Sequence, residues 1–88
     1  MKSNGKVGRI ALKQVHFAVI TTARDGVDEL DRTRREKGLS QMDISHMAEM
    51  PDEGMQYCRM YKSGDIKISK FLRFLKALGC NLVIMKED

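Results

Sequence analysis

There is no tryptophan in this chain, a single proline (Pro51), and no aromatic residue beyond three phenylalanines and two tyrosines. With 88 residues, one small domain with one core is expected, thinly stabilised unless a second copy helps. Cysteine is as scarce. Cys58 and Cys80 stand far apart without a CxxC pair, and His16 and His46 have no ligand spacing around them. No disulfide framework or metal site is therefore expected, and the thiols read as buried or half-buried groups in a reducing cytoplasm. No apolar run is long enough to span a bilayer, and no charged, apolar and small segments follow one another as in a secretion signal. The expectation is a cytoplasmic protein with no membrane partner. There is also no glycine-rich phosphate loop, no Ser/His/Asp or Cys/His set and no paired carboxylates in an apolar setting, so neither an enzyme nor a cofactor is expected.

What is present is a modest positive excess and a well-punctuated middle. Sixteen Lys and Arg against twelve Asp and Glu give a net charge of +4 and a pI near 9.3, which suits a polyanionic partner. Residues 22–37 read as a helix capped by Thr22 and Asp25, with Val27 and Leu30 inward and Arg32, Arg34, Arg35 and Lys37 crowding its end. Those cations complement the helix dipole or reach phosphate, and Asp28, Glu29 and Asp31 among them read as surface ion pairs. Gly38 then terminates the helix, and Ser40 caps a second one whose apolar face is Ile44, Met47 and Ala48. Pro51-Asp52 breaks that helix and starts a third, carrying Met55, Cys58 and Tyr61 or Lys62 until Ser63-Gly64 stops it. Two short helices joined by a tight polar break make a helix-turn-helix. Met42, Met47, Met50, Met55 and Met60 on this pair read as adaptable core.

The flanks are less regular. Residues 1–9 read as a loose basic arm. Residues 14–20 alternate as a strand would, while Leu12, Val15, Val19, Ala23, Val27 and Leu30 also form a helical stripe. Ser69 reads as the cap of a last helix, with Phe71, Leu72, Leu75 and Leu78 inside, Arg73 and Lys76 outside, and Gly79 at its end. Asn81 to Lys86 reads as a strand apolar on both faces, which needs cover on both sides and a partner strand. That partner is the 14–20 segment or the same strand of a second copy, since a two-fold lets one strand pair with itself.

GLSQ at 38–41, the apolar Ile44, Tyr61-Lys62-Ser63-Gly64 and Leu75-Lys76-Ala77-Leu78-Gly79 resemble the lambda-repressor/Cro-type DNA-binding domain. The ending FLRFLKALGCNLVIM is similar to that of the antitoxin-repressors of type II toxin–antitoxin modules. The departures are a slightly longer spacing between GLSQ and the Ser-Gly stop, Ser45 where Ala is usual, Gly54 and Met55 where polar residues are common, and Lys62 where Glu is common. The resemblance implies a mostly α fold: a four- to five-helix DNA-binding domain over 22–80, an N-terminal arm and apolar segment at 1–21, and a short C-terminal strand and tail at 81–88. It implies a dimeric, autoregulatory transcriptional repressor on a palindromic double-stranded operator, with a toxin protein as a further partner. Leu82, Val83, Ile84 and Met85 would form the dimer interface. Met55, Gln56, Tyr57 and Arg59 would face the groove: Gln56 suits adenine, Arg59 guanine or phosphate, and Met55 and Tyr57 a thymine methyl. Gln41 would meet backbone or base beside them, Ser40 and the backbone amides at that helix start suit a phosphate, and Lys62, Lys67 and Lys70 would meet phosphates. Asp52 and Glu53 would repel phosphate unless they cap the helix or accept from a cytosine amine. The alternative is a protein-interaction module of the same fold with little DNA affinity.

Overall fold

Helix ends organise this chain, and most are fixed by short-range hydrogen bonds. A computed structural model describes residues 16–50 and 54–87. Helix α1 spans Ala23–Glu36, α2 Gln41–Met47, α3 Met55–Ser63 and α4 Ile68–Ala77. Among the described residues there are four helices and no strand, so the fold is mostly α. At α1 the Thr22 hydroxyl accepts the Asp25 amide at 3.1 Å while the Asp25 carboxylate accepts the Thr22 amide at 3.2 Å. Ser40 and Asp43 repeat this reciprocal cap at α2, both bonds at 2.9 Å. The last helix differs from expectation. Lys67, in extended backbone, is its N-cap, and its carbonyl already accepts the Lys70 and Phe71 amides. Ser69 is therefore inside the first turn rather than the cap.

Three helices stop by one device. After α1, α2 and α4 the chain makes a six-to-one and a five-to-two bond around a left-handed residue. That residue is Gly38 at φ 70° and Gly79 at φ 74°, but after α2 it is Glu49 at φ 59°. A side chain there costs about 1 kcal/mol relative to glycine. Arg73 holds the turn by donating to the carbonyls of Ala48 and Glu49 at 2.8 and 2.9 Å. Glu49→Gly should therefore raise stability by roughly 0.5 kcal/mol, part of the relieved strain being offset by a freer unfolded chain. A thermal melt reads this as a rise of a few degrees; a fall would show that the Glu49 side chain itself holds the turn.

The core joins Val27 and Leu30 of α1, Ile44 and Ala48 around α2, Met50, Tyr57 and Met60, and Phe71, Phe74 and Leu78 around α4. Helix α3 packs on α1 and α2, and α2 on α4. Phe74 meets the Tyr57 ring edge-on at 5.3 Å between centroids. Ser45 is fully buried and donates to the Gln41 carbonyl at 2.9 Å, which makes the hydroxyl tolerable where a methyl group would serve. Of the five methionines on the α2–α3 pair, Met50 and Met60 join the core. Met42, Met47 and Met55 are about half exposed, and Leu72, expected inside, is 43 % exposed.

The flanks stay irregular. Residues 16–21 and 80–87 carry no helix or strand, and Phe17, Val19 and Leu82 to Met85 are exposed. The helical stripe through Val19 does not form, although Val27 and Leu30 take the inward positions assigned to them. The arm at 1–9, Leu12, Val15 and the cap at Asp52 lie outside the described residues. No helix among the described residues is long and apolar enough to cross a membrane.

Candidate nucleic-acid interface

Helix α3 begins on glycine for a structural reason. Gly54 has φ 92°, which side chains rarely adopt, and is buried against the start of α2. A Cβ there would lie 3.5 Å from the Gln41 carbonyl and the Met42 amide. This close approach brings the first residues of α2 and α3 together. At the other end, Arg24 of α1 donates to the Tyr61 carbonyl at 2.8 Å, lies over the Tyr61 ring at 5.3 Å and pairs with Asp28. Gly64 at φ 73° passes so close that a Cβ would sit 3.0 Å from Arg24. Both ends of α3 are thereby tied to neighbouring elements.

At 3.6 residues per turn, Met55, Arg59 and Lys62 share the outward side of α3, opposite buried Tyr57 and Met60. Half-buried Cys58 flanks that stripe, although sequence reasoning leaves it out of the groove-facing set; its i+3 spacing from Met55 is the signal that places it there. Gln56, Arg59 and Ser63 turn towards Asp65, Lys67 and Lys70, and together they line an open groove between α3 and the start of α4. Arg59, Lys62 and Lys67 are exposed and Lys70 is half-buried.

Tyr57 is not on this surface. It is fully buried, and its hydroxyl donates to Asp31 at 2.7 Å. The same carboxylate accepts from Arg34 at 3.0 and 3.1 Å and pairs with Arg35 at 3.0 Å. Arg34 also donates to the Leu39 carbonyl and lies over the Tyr57 ring. Burial alone would raise the Asp31 pKa, but the Tyr57 hydroxyl and the two guanidinium groups bring it below the usual carboxylate range. Burial, and then that carboxylate, push the tyrosine up, so it stays a neutral donor. Asp31 is thus a core anchor rather than a surface ion pair.

The arginine-rich end of α1 is committed to carboxylates: Arg32 to Glu29 and Glu36, and Arg34 and Arg35 to Asp31. Among the described residues Arg59, Lys62, Lys67 and Lys70 enter no ion pair. Ser40 and Gln41 are exposed and half-buried respectively at the start of α2. The Asp43 carboxylate takes the Ser40 amide, and this bond holds Asp43 below its ordinary pKa. An anion at that end meets a fixed negative charge. Asp52 and Glu53 lie outside the described residues. Comparisons with protein-family models, with curated proteins and with solved structures return no match.

Proposed function

We propose that this chain is a sequence-specific, double-stranded-DNA-binding transcriptional repressor of the lambda-repressor/Cro-like class. In this reading α2 and α3 form the helix-turn-helix and α3 enters the major groove. The observation that supports it is the set of cations on α3 and α4, Arg59, Lys62, Lys67 and Lys70, exposed or half-exposed and without carboxylate partners among the described residues. Lys62, Lys67 and Lys70 contact phosphates and fix register; Arg59 reaches base edges, and Gln56 does so by turning outward the amide oxygen that is buried in the free chain. Two copies set their α3 helices about 34 Å apart on a palindromic operator and exclude polymerase by occupancy. Autoregulation, and a toxin as a further partner, rest on the resemblance of residues 71–85 alone. Selection of duplexes from a random pool tests the reading: enrichment of one palindromic sequence supports it, and enrichment of none refutes it.

The exposed apolar tail supplies the dimer contact. Ile84 and Met85 are 81 % and 87 % exposed in a single chain, and their backbone has no partner strand among the described residues. Antiparallel pairing with the same segment of a second copy covers both. Ile84→Asp places a charge in that contact and should weaken dimerisation by about tenfold or more. Sedimentation velocity shows this as a shift to monomer; an unshifted dimer would place the interface elsewhere.

The exposed tail also favours a second reading, a protein-binding module that uses the same helices with little DNA affinity. Salt separates the two, since an apolar interface barely responds to ionic strength while phosphate contacts weaken steeply.

A further inference from the structure

Two apolar stretches lie uncovered in the single chain, and they leave the helices at different places. Ile20 rests over buried Gly26, where a Cβ would lie 3.5 Å from Ile20 Cγ2 and 3.4 Å from Phe71 Cζ. Before it, Phe17 and Val19 are 80 % and 87 % exposed. Thr21 fastens this segment by donating its amide and hydroxyl to Asp25 at 3.2 and 2.9 Å. The tail, Leu82 to Met85, departs from the far end of α4, where the Cys80 amide donates to the Leu75 carbonyl at 2.8 Å. Phe71 and Leu78 stand about 10 Å apart along that helix. Neither stretch has helix or a partner strand among the described residues.

The tail alone makes a poor interface. An aliphatic side chain hides roughly 60–120 Å² when covered, so its four apolar residues give roughly 250–500 Å² per copy. A specific contact takes about 600 Å² or more from each partner. A ribbon of two strands is also marginal in water, whereas three or more with an apolar face hold together. Phe17, worth roughly 150–250 Å², and Val19 supply the missing area. Two residues apart, they share one face of an extended strand, while Ile20 turns the other way, onto Phe71. Their own tail starts at the opposite end of α4. Antiparallel pairing of the tails carries the partner's tail back towards this copy.

Resting on the tail-to-tail dimer of the reading above, we infer that residues 16–20 form an outer strand beside the tail of the second copy. The dimer is then joined by a four-stranded sheet, in which each copy's N-terminal segment flanks its partner's tail. Phe17 and Val19 are interface residues as much as Ile84 is.

Both side chains are exposed in the single chain, so Phe17→Ser with Val19→Ser should leave the helices intact, as an unchanged circular dichroism spectrum verifies. In sedimentation equilibrium of the full chain, the dimer dissociation constant should rise about a hundredfold or more, because two covered apolar side chains per copy are lost. Cross-linking identifies the neighbour. In a Cys58→Ser, Cys80→Ser background, a Val19→Cys chain is mixed with a longer, tagged chain carrying cysteine at one of the tail positions 82–85 in turn, and oxidised. A disulfide between the two chains is expected at one or more of those positions, and none between two Val19→Cys chains. An unchanged dissociation constant in the serine variant overturns the inference and leaves the tail-to-tail dimer standing. A chain carrying both cysteines that cross-links only within itself shows the segment covering its own tail, and overturns the inference as well. Wild-type protein that stays monomeric at every concentration removes the tail contact and this inference together.

Discussion

Asp31→Ala should lower the unfolding free energy by about 3 kcal/mol. The substitution leaves the buried Tyr57 hydroxyl, and the Arg34 side chain that is 13 % exposed, without the acceptor they share, and breaking a buried pair by removing one partner costs about 3–5 kcal/mol. Small domains begin with only about 5 kcal/mol or somewhat more, so the variant should be close to unfolded at room temperature. Tyr57→Phe removes one hydrogen bond and leaves Asp31 with both arginines; it should cost about 1 kcal/mol. Urea unfolding of the two variants measures the contrast, and equal losses would mean that Asp31 acts only through Tyr57.

The same group sets part of the acid response. The Asp31 pKa is lower folded than unfolded, so the folded state favours its ionised form. Its contribution is fully present above the unfolded value, about 3.9, and is lost as pH falls through the lower folded value. Asp25 shifts in the same direction because it accepts hydrogen bonds from the Thr21 hydroxyl and amide and then from Thr22, and Asp43 because it accepts from Ser40. Wild-type stability should therefore fall below about pH 4, and Asp31→Asn should fall less steeply over that window from a lower starting point. A parallel fall in both proteins would assign the acid response to the caps alone.

The second large effect concerns DNA. Arg59→Ala together with Gln56→Ala should abolish preference for the operator over a scrambled duplex, because those side chains are assigned the base edges next to Met55. Such preferences are on the order of a thousandfold or more. Lys67→Ala with Lys70→Ala should act differently. Affinity falls for every duplex alike, and the salt slope becomes shallower by about 0.9 for each phosphate no longer neutralised. Anisotropy titrations at several salt concentrations distinguish the two pairs. If the lysine pair alters selectivity, or the Arg59 and Gln56 pair does not, the division between register and readout is wrong.

Much of the architecture is legible in the sequence because it is punctuated locally. Thr22 with Asp25 and the glycines at 38, 64 and 79 act within a few residues of themselves, and that is the range over which sequence speaks most clearly. Tyr57 escapes a sequence reading for the opposite reason. Its partner Asp31 is 26 residues away, and an aromatic residue with a polar tip in a short amphipathic helix reads equally as surface. Ser69 is a cap by residue type, whereas the Lys67 backbone sets the start of the helix. Leu72 satisfies the apolar count of the last helix yet is exposed, because a helix face four residues wide exceeds what its neighbours cover here. For the candidate interface, residue types are visible in the sequence, but the arginines that α1 uses internally look the same there as the cations left over on α3 and α4. That distinction is made in three dimensions.

If the cations of α3 and α4 meet the phosphates of a specific operator, the protein must bind that DNA selectively and release it as salt rises. Fluorescence anisotropy of the purified protein tests this most directly, on DNA from upstream of its own gene and on a scrambled duplex, at about 50 and about 200 mM salt. Binding to the upstream DNA should be tight and selective, and should weaken about a hundredfold or more between those concentrations, as several phosphate contacts require. Equal weak binding to both duplexes, or none, would contradict the DNA-binding reading and leave the exposed apolar tail and α3 as a surface for another protein.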